Sequence, residues 1–438
     1  MLYLQEIRDN KNNPQQLEAL FQAACGRRET GRFSADLNAC YSDEPDNLLL
    51  QAWYYRLQST IEEPRRWEGI SANWKLAIPL AILNGLTLWA LSAPGLTFIH
   101  EMPWLALLAA PITAGFVIAF LALTTRWNYQ RSLAVSIALA LIVTAAILFT
   151  YLVAIRTSMD YQILAALHLA LLAWAGVGVA LVGWVSDNDN RFAFLMKSLE
   201  VFIVGGVYLI AGMIFGGITL GMFEALSIEL PEVMMRLIAA GGAGLLPVIA
   251  VVTIYDPFAE PKNQDFTQGL SKFIGTMMRL LLPLTLGVLV VYIFVIPFNF
   301  FQPFKNRDLL IIYNAMLFAI VGLLVGATPI NLGEISPRLG SALRSGIIAV
   351  SGLATLVSLY SLSAIIYRTV TGAITINRLT MMGWNVINIT LLVLILIRLL
   401  GSSAQPWNER IKAVFSLGAV FYVSWSLFVI LVMPLIFR

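Results

Sequence analysis

The sequence predicts an all-α fold: a polytopic transmembrane helix bundle of about eleven spans with a small N-terminal cytosolic helical head. Three observations predict it. Hydrophobic residues make up 59% of the 438 residues and charged residues only 12%, about half the charged share of a soluble globular chain. Beyond Lys75, apolar blocks follow one another almost to Arg438, each of the roughly 18 to 25 residues a helix needs to cross a hydrocarbon layer. The lysines and arginines sit mainly between those blocks, as loops at a membrane surface require.

The head, residues 1–72, reads as short helices joined by turns. Pro14 opens a helix through Leu17, Leu20 and Phe21, with Gly26 placed to end it. A second helix begins near Glu44-Pro45-Asp46 and carries Leu48, Leu49, Leu50, Trp53, Tyr54 and Leu57 at helical spacing. Trp67 and Trp74 flank Arg65, Arg66 and Lys75 in the manner of an interfacial belt. Roughly seventy residues are marginal for an independent core. The head is therefore expected to lean on the membrane domain or on a protein partner, with Trp53 and Tyr54 as exposed aromatic candidates. Met1 to Asn10 contains Glu6, Arg8 and Asp9 instead of a basic stretch followed by an apolar run, so the first span is expected to act as an uncleaved anchor.

Within the membrane domain, residues 73–438, the spans lie near 76–93, 104–124, 133–155, 161–185, 199–226, 233–254, 280–299, 309–329, 345–366, 379–399 and 412–436. With the N-terminus inside, the cytoplasmic loops hold twelve Lys or Arg and the head adds nine, against seven on the other side. That bias favours an N-in topology. Phe266 to Arg279 has an apolar face suited to a helix lying in the interface ahead of the seventh span. Pro297 to Phe304 reads as an aromatic turn at the opposite interface.

Composition narrows the function classes. A net charge of +3 is too small to suggest a nucleic-acid partner. Cys25 and Cys40 lack CxxC spacing, and with only His100 and His168 no Cys/His zinc set can be assembled. No cofactor is expected. The chain has no phosphate loop ending in Gly-Lys-Ser/Thr, no His-Glu-x-x-His and no Gly-x-Ser-x-Gly, so an enzyme is the weakest reading. Asp187 to Arg191 and Asp256 to Glu260 read as solvated turns.

Three sets of residues could carry function. The fifth span is crowded with Gly205, Gly206, Gly212, Gly216, Gly217 and Gly221, and Gly241, Gly242 and Gly244 follow in the sixth. Such glycines serve tight helix packing or a flexible helix lining a substrate path. His168 and Glu224 are polar groups within or at the end of spans, where ionisable side chains are expensive and usually face a cavity or partner. They are candidates for proton coupling, or else a bundle hydrogen bond and an interfacial carboxylate. The third set is Tyr367 to Arg378, where Arg368, Thr375, Asn377 and Arg378 meet in one short loop. Two guanidinium groups could hold a lipid headgroup or anionic solute; alternatively the arginines snorkel while Thr375 and Asn377 cap the next span.

Through this last segment the chain resembles an uncharacterised bacterial family of multi-pass membrane proteins. That family has Tyr-Arg followed by Gly-Leu-Thr-Pro-Asn-Arg between two late spans. Tyr367, Arg368, Thr375, Asn377 and Arg378 match at the same spacing, Ile374 is conservative, and Ala373 and Ile376 stand where the family has glycine and proline. The resemblance implies a multi-pass protein of the inner (plasma) membrane whose role is unknown. The expected function is a permease-like transporter of a small or lipid-like solute, with a path beside the glycine-rich spans. The alternative is a non-transporting subunit or scaffold that recruits a partner through the head. Expected partners are the lipid bilayer, a protein on the head, or a second copy of the chain.

Overall fold

A computed structural model of the chain divides into two compact units, Met1–Lys75 and Leu76–Arg438. Residues 3–26, 30–61, 65–98, 102–125, 129–152 and 155–437 are described, without the side chains inside 25–31, 58–73 and 152–158. The side chains of Cys25, Arg65, Arg66, Trp67, His100 and Arg438, named above from sequence, lie outside the described set.

The head consists of α1 (Leu4–Asp9), α2 (Pro14–Gly26), α3 (Thr30–Asp43) and α4 (Leu48–Ile61). Asn13 and Asn47 side chains accept backbone N–H groups at the starts of α2 and α4, at 3.3 Å from Gln16 N and 3.0 Å from Leu49 N, each worth about 1 kcal/mol. The helices close over a core of Ile7, Leu17, Phe33, Leu37, Leu50 and Leu57. Trp53 belongs to that core, being only 5% exposed, and is not a surface aromatic. It falls on the same stripe of α4 as Leu50 and Leu57, meets Phe21 at 5.4 Å, and carries the Arg56 guanidinium 4.4 Å above its ring. Arg56 also binds the Glu18 carboxylate and holds it below the usual carboxylate range. Tyr54 stacks on Tyr41 at 4.6 Å, so Leu48 and Tyr55 are the large apolar side chains this part of the head exposes.

The second unit follows with α5 (Arg65–Leu91), whose apolar span is Trp74–Leu91, then α6 (Trp104–Thr125), α7 (Tyr129–Leu152), α8 (Ile155–Val182) and α9 (Asn188–Ala225). The short α10 (Glu232–Arg236) passes through a π-helical turn, Leu237–Gly241, into α11 (Gly242–Ile254). The later helices are α12 (Gly269–Val295), α13 (Gln302–Lys305), α14 (Arg307–Ala327), α15 (Pro337–Thr371), α16 (Ile376–Leu400), α17 (Trp407–Leu431) and α18 (Met433–Ile436). Eleven of these segments are long and apolar enough to cross a membrane. The protein is an integral, multi-pass membrane protein. Side-chain caps start the helices where the sequence offers them: Asp187 for α9, Asn306 for α14, Ser336 with Pro337 for α15 and Thr375 for α16. Pro79, Pro111, Pro247 and Pro283 lie inside helices, as membrane spans tolerate. Because nothing breaks the helix between Gly269 and Pro283, the stretch expected to lie separately in the interface is the opening of α12 itself.

Two apolar cores fill this unit. One, including Phe120, Val177 and Val248, joins the first six spans; the other, including Leu289, Leu324, Ile347 and Leu392, joins the last five. Helix α9 serves both, placing Phe192 and Met196 in the second and Val201 and Val204 in the first. A third cluster ties α8 to α16 and α17, where the Tyr161 hydroxyl donates to Ile430 O at 2.9 Å.

A close backbone approach brings α5 against the π-turn and α11. A Cβ built on Gly244 would stand 2.8 Å from Gly85 Cα, and one on Gly85 would stand 2.7 Å from Gly241 O. The glycines let Asn84 Nδ2 reach Gly244 O at 2.7 Å, as small residues do at membrane helix crossings.

The basic loops gather on one face. Arg131 donates to Leu181 O, Lys262 pairs with Asp187, Arg344 donates to Leu399 O, Arg410 donates to Gly401 O, and Asn408 Nδ2 donates to Pro329 O. These guanidinium and amide groups satisfy helix-end carbonyls that would otherwise be orphaned.

Candidate functional site

Between the two cores lies an apolar cavity of about 680 Å³, within the range of small-molecule sites. Its walls are Trp174 of α8, Phe202, Gly205 and Gly206 of α9, Pro247 of α11, Phe318 and Gly322 of α14, Leu391 of α16, and Phe415 and Tyr422 of α17. Helix α9 creates it by geometry. Near its start it is fastened to α17, where Ser416 Oγ donates to Asn188 O at 3.1 Å and the Phe192 and Phe415 rings stack at 5.9 Å. Past Gly205 it runs along α11 and the π-turn instead, with Tyr208 and Thr253 hydroxyls 3.2 Å apart and Gly216 facing Ile238. The wedge left between α9 and the later spans is the cavity. Phe202, 81% exposed, marks its open side.

No charged side chain lines this space, and its polar groups are already engaged. Trp174 Nε1 donates to Ser198 Oγ at 2.8 Å, and Ser198 Oγ donates to Phe194 O at 2.8 Å. The Tyr422 hydroxyl donates to Asn388 Oδ1 at 2.5 Å. Phe202 and Tyr422 each lie roughly 20 Å along their helices from the helix starts at Asn188 and Trp407, at 1.5 Å per residue. The cavity is therefore set at mid-depth in the spans.

At its basic end α9 carries a buried ion pair. Lys197 Nζ donates to Glu200 Oε2 at 2.8 Å, to Asp265 O at 2.8 Å and to Ser271 Oγ at 2.9 Å, and stands 4.4 Å over the Phe266 ring. Those three acceptors use all three ammonium protons. Ser271 Oγ in turn donates to Glu200 Oε2 at 2.6 Å. A second pair closes the same face: Lys412 binds Glu409 at 2.6 Å and Asp189 at 3.2 Å. Nearby, a smaller recess of about 300 Å³ with mixed polar and apolar walls lies among Arg131, Ser132, Asn190, Tyr255 and Glu260. Its loop is pinned by Gln264, which accepts from Asp256 N and donates to Asp256 O and Ala259 O. Lys262, bound by Glu260 and facing Asp187, is held above the usual lysine range.

The candidates singled out from sequence fall in different places. Gly205 and Gly206 line the cavity. Gly205 and Gly216 make ordinary contacts, with Ala250 and Ile238, whereas a Cβ at Gly206, Gly212, Gly217 or Gly221 would meet nothing within 4 Å. His168 is buried behind the cavity wall; its Nδ1 faces Leu164 O at 2.7 Å and its Nε2 accepts from Trp384 Nε1 at 3.0 Å. Glu224 is exposed near the far end of α9, about 28 Å beyond Gly205 along the helix, so the structure does not bring it to His168. In the Arg368–Arg378 loop, Arg378 Nη1 donates to Arg368 O and Ala373 O, both at 2.7 Å, closing the end of α15. Thr375 caps α16 by accepting from Arg378 N at 3.3 Å. Asn377 is half-buried beside it. Arg368 Nη1 is buried with no hydrogen-bond partner among the described residues.

Sequence reasoning missed the Lys197–Glu200 pair and the buried amides of the later spans. Asn385 Nδ2 donates to Asn314 Oδ1 at 2.8 Å, and Asn388 supports Tyr422. The signals were present: Glu200 lies inside a predicted span three residues after Lys197, and Asn385 and Asn388 share one face of α16. Among the described residues, no three His, Cys, Asp or Glu side chains form a group that could hold a metal. No family model, curated protein or solved structure matches the chain.

Proposed function

We propose that this protein is a permease-like carrier for an uncharged, lipid-like solute, and that the cavity beside α9 receives the solute's apolar chain. The observation that carries this reading is the pairing of a 680 Å³ volume with a lining that has no charge. A recess of this size, open at Phe202, offers room and apolar surface for a hydrocarbon chain. Aromatic rings and glycines at its walls suit a long chain, while phosphate or carboxylate would find no free donor there. The opening at Phe202 supports lateral entry. Under the rule that basic loops stay in the cytoplasm, the face closed by Lys197 and Lys412 is the inner one.

The test uses the full-length protein in lipid nanodiscs and a long-chain fatty alcohol bearing a diazirine. Photolabelling should map to α9, α14 and α17 peptides around Phe202, Phe318 and Tyr422, and should be competed by unlabelled alcohol but not by the matching alkyl phosphate. Uniform labelling of all lipid-facing helices would defeat the reading. Flux of the same alcohol between vesicle leaflets then separates a carrier from a protein that only binds.

A further inference from the structure

We propose that His168 is a proton-binding site linked to the cavity, so that a proton and the solute influence each other's binding through Trp384; this rests on the cavity being the solute site. The partners of the imidazole fix its tautomer. Leu164 O can only accept, so Nδ1 carries the hydrogen of that 2.7 Å contact. The Trp384 indole can only donate, so Nε2, 3.0 Å away, is the bare nitrogen. A second proton has one place to go. On Nε2 it would oppose the Trp384 N–H, two donors at hydrogen-bond distance, and the indole would have to turn.

Trp384 cannot turn alone. It is buried between Phe318, 5.1 Å away edge to face, and Tyr422, 5.2 Å away edge to face, and both rings are walls of the cavity. Tyr422 also holds Asn388, whose Nδ2 is buried without a hydrogen-bond partner among the described residues. Protonation of His168 thus reshapes the cavity wall, and a solute that braces Phe318 and Tyr422 favours the neutral imidazole. Linkage makes the effect reciprocal.

Few other groups compete for this role. Of the helices packed on α8, α6 carries no charged side chain, and α7, α16 and α17 carry theirs only near their ends: Arg131, Arg378, Arg398, Glu409, Arg410 and Lys412. In α9, Lys197 and Glu200 are paired to each other. Helix α8 itself carries Arg156 and Asp160 near its start, Asp160 two turns before His168, and α9 further carries Asp189, Arg191 and Glu224 toward its ends; the phenols are Tyr161 on α8, Tyr208 on α9, Tyr422 on α17, and Tyr129 and Tyr151 at the ends of α7.

The experiment measures affinity of the diazirine fatty alcohol, which does not itself titrate, from pH 5 to pH 8 in wild type and His168→Asn. The asparagine amide oxygen can still accept the Trp384 N–H but takes up no proton. Wild type should bind about fivefold or more weakly at low pH, the lower end of ordinary coupling. H168N should hold its neutral-pH affinity throughout, and Trp384→Phe, which removes the opposing donor, should flatten the profile as well. A pH dependence that survives unchanged in H168N, or a flat profile in wild type, overturns the proposal while leaving the cavity as a solute site. No saturable binding at any pH overturns both.

Discussion

Up to Val204, α9 is a packed helix with a buried ion pair and side chains in both apolar cores; from Gly205 on, the same helix keeps one neighbour and exposes Met213, Ile214, Phe215 and Ile218. The first half is held by what it buries, the second by a single line of contact with α11 and the π-turn that leads into it. The glycines sort accordingly. At the α5 crossing, Gly85 and Gly244 have backbone within 3 Å of a built Cβ, whereas most of the glycines in the second half of α9 have open space. Glycine content alone does not say whether a helix is clamped or free; what stands across from it does.

The sharpest way to break this contrast is at Lys197. Lys197→Ala leaves the Glu200 carboxylate buried with only Ser271 to satisfy it, and should cost about 3 to 5 kcal/mol, read as a lower Tm in detergent. The double variant K197M/E200L should recover most of that loss. A K197A protein that melts like wild type would mean the first half of α9 is not held by its buried charges.

Next in size, Gly244→Val drives a branched side chain into Gly85 Cα and should destabilise by about 1 to 3 kcal/mol. Gly206→Leu grows into open space at the cavity wall instead, and should lower fatty-alcohol labelling about tenfold, or ~1.4 kcal/mol, with the melt preserved. If G206L melts early and labels normally, Gly206 is a packing residue and the boundary between the halves lies farther along. The smallest effect is expected at Gly212→Ala, which meets no neighbour and should gain about 0.5 to 1 kcal/mol from the lower backbone entropy cost. Destabilisation there would reveal a neighbour across that face.

Much of the architecture was legible because a membrane writes its thickness into the sequence. Span positions and the two head helices opened by Pro14 and Glu44-Pro45-Asp46 could be read from apolar length and turn residues. Helix extensions could not: Asn188 to Ser198 carries polar residues that look like a loop, and Phe266 to Arg279 reads as a separate interfacial helix until its continuity with the span is known. The site was legible only in fragments. Gly205, Gly206 and His168 could be named, yet nothing in a linear sequence sets His168 against Trp384, 216 residues away. Trp53 was misread as exposed because its apolar stripe says that a face is buried without saying by what.

Chain order gives the closed basic face a timetable. Lys197 and Glu200 lie on the same turn, but Ser271 is made 71 residues after Glu200. At roughly 5 to 20 residues per second of synthesis, the pair spends about 4 to 14 seconds neutralising itself with no third partner. Asp189 waits far longer, since Lys412 lies 223 residues downstream and Ser416 reaches Asn188 from 228. The start of α9 is thus sealed only when the eleventh span arrives, and a nascent chain released before α17 would leave this seam open for quality-control machinery to detect.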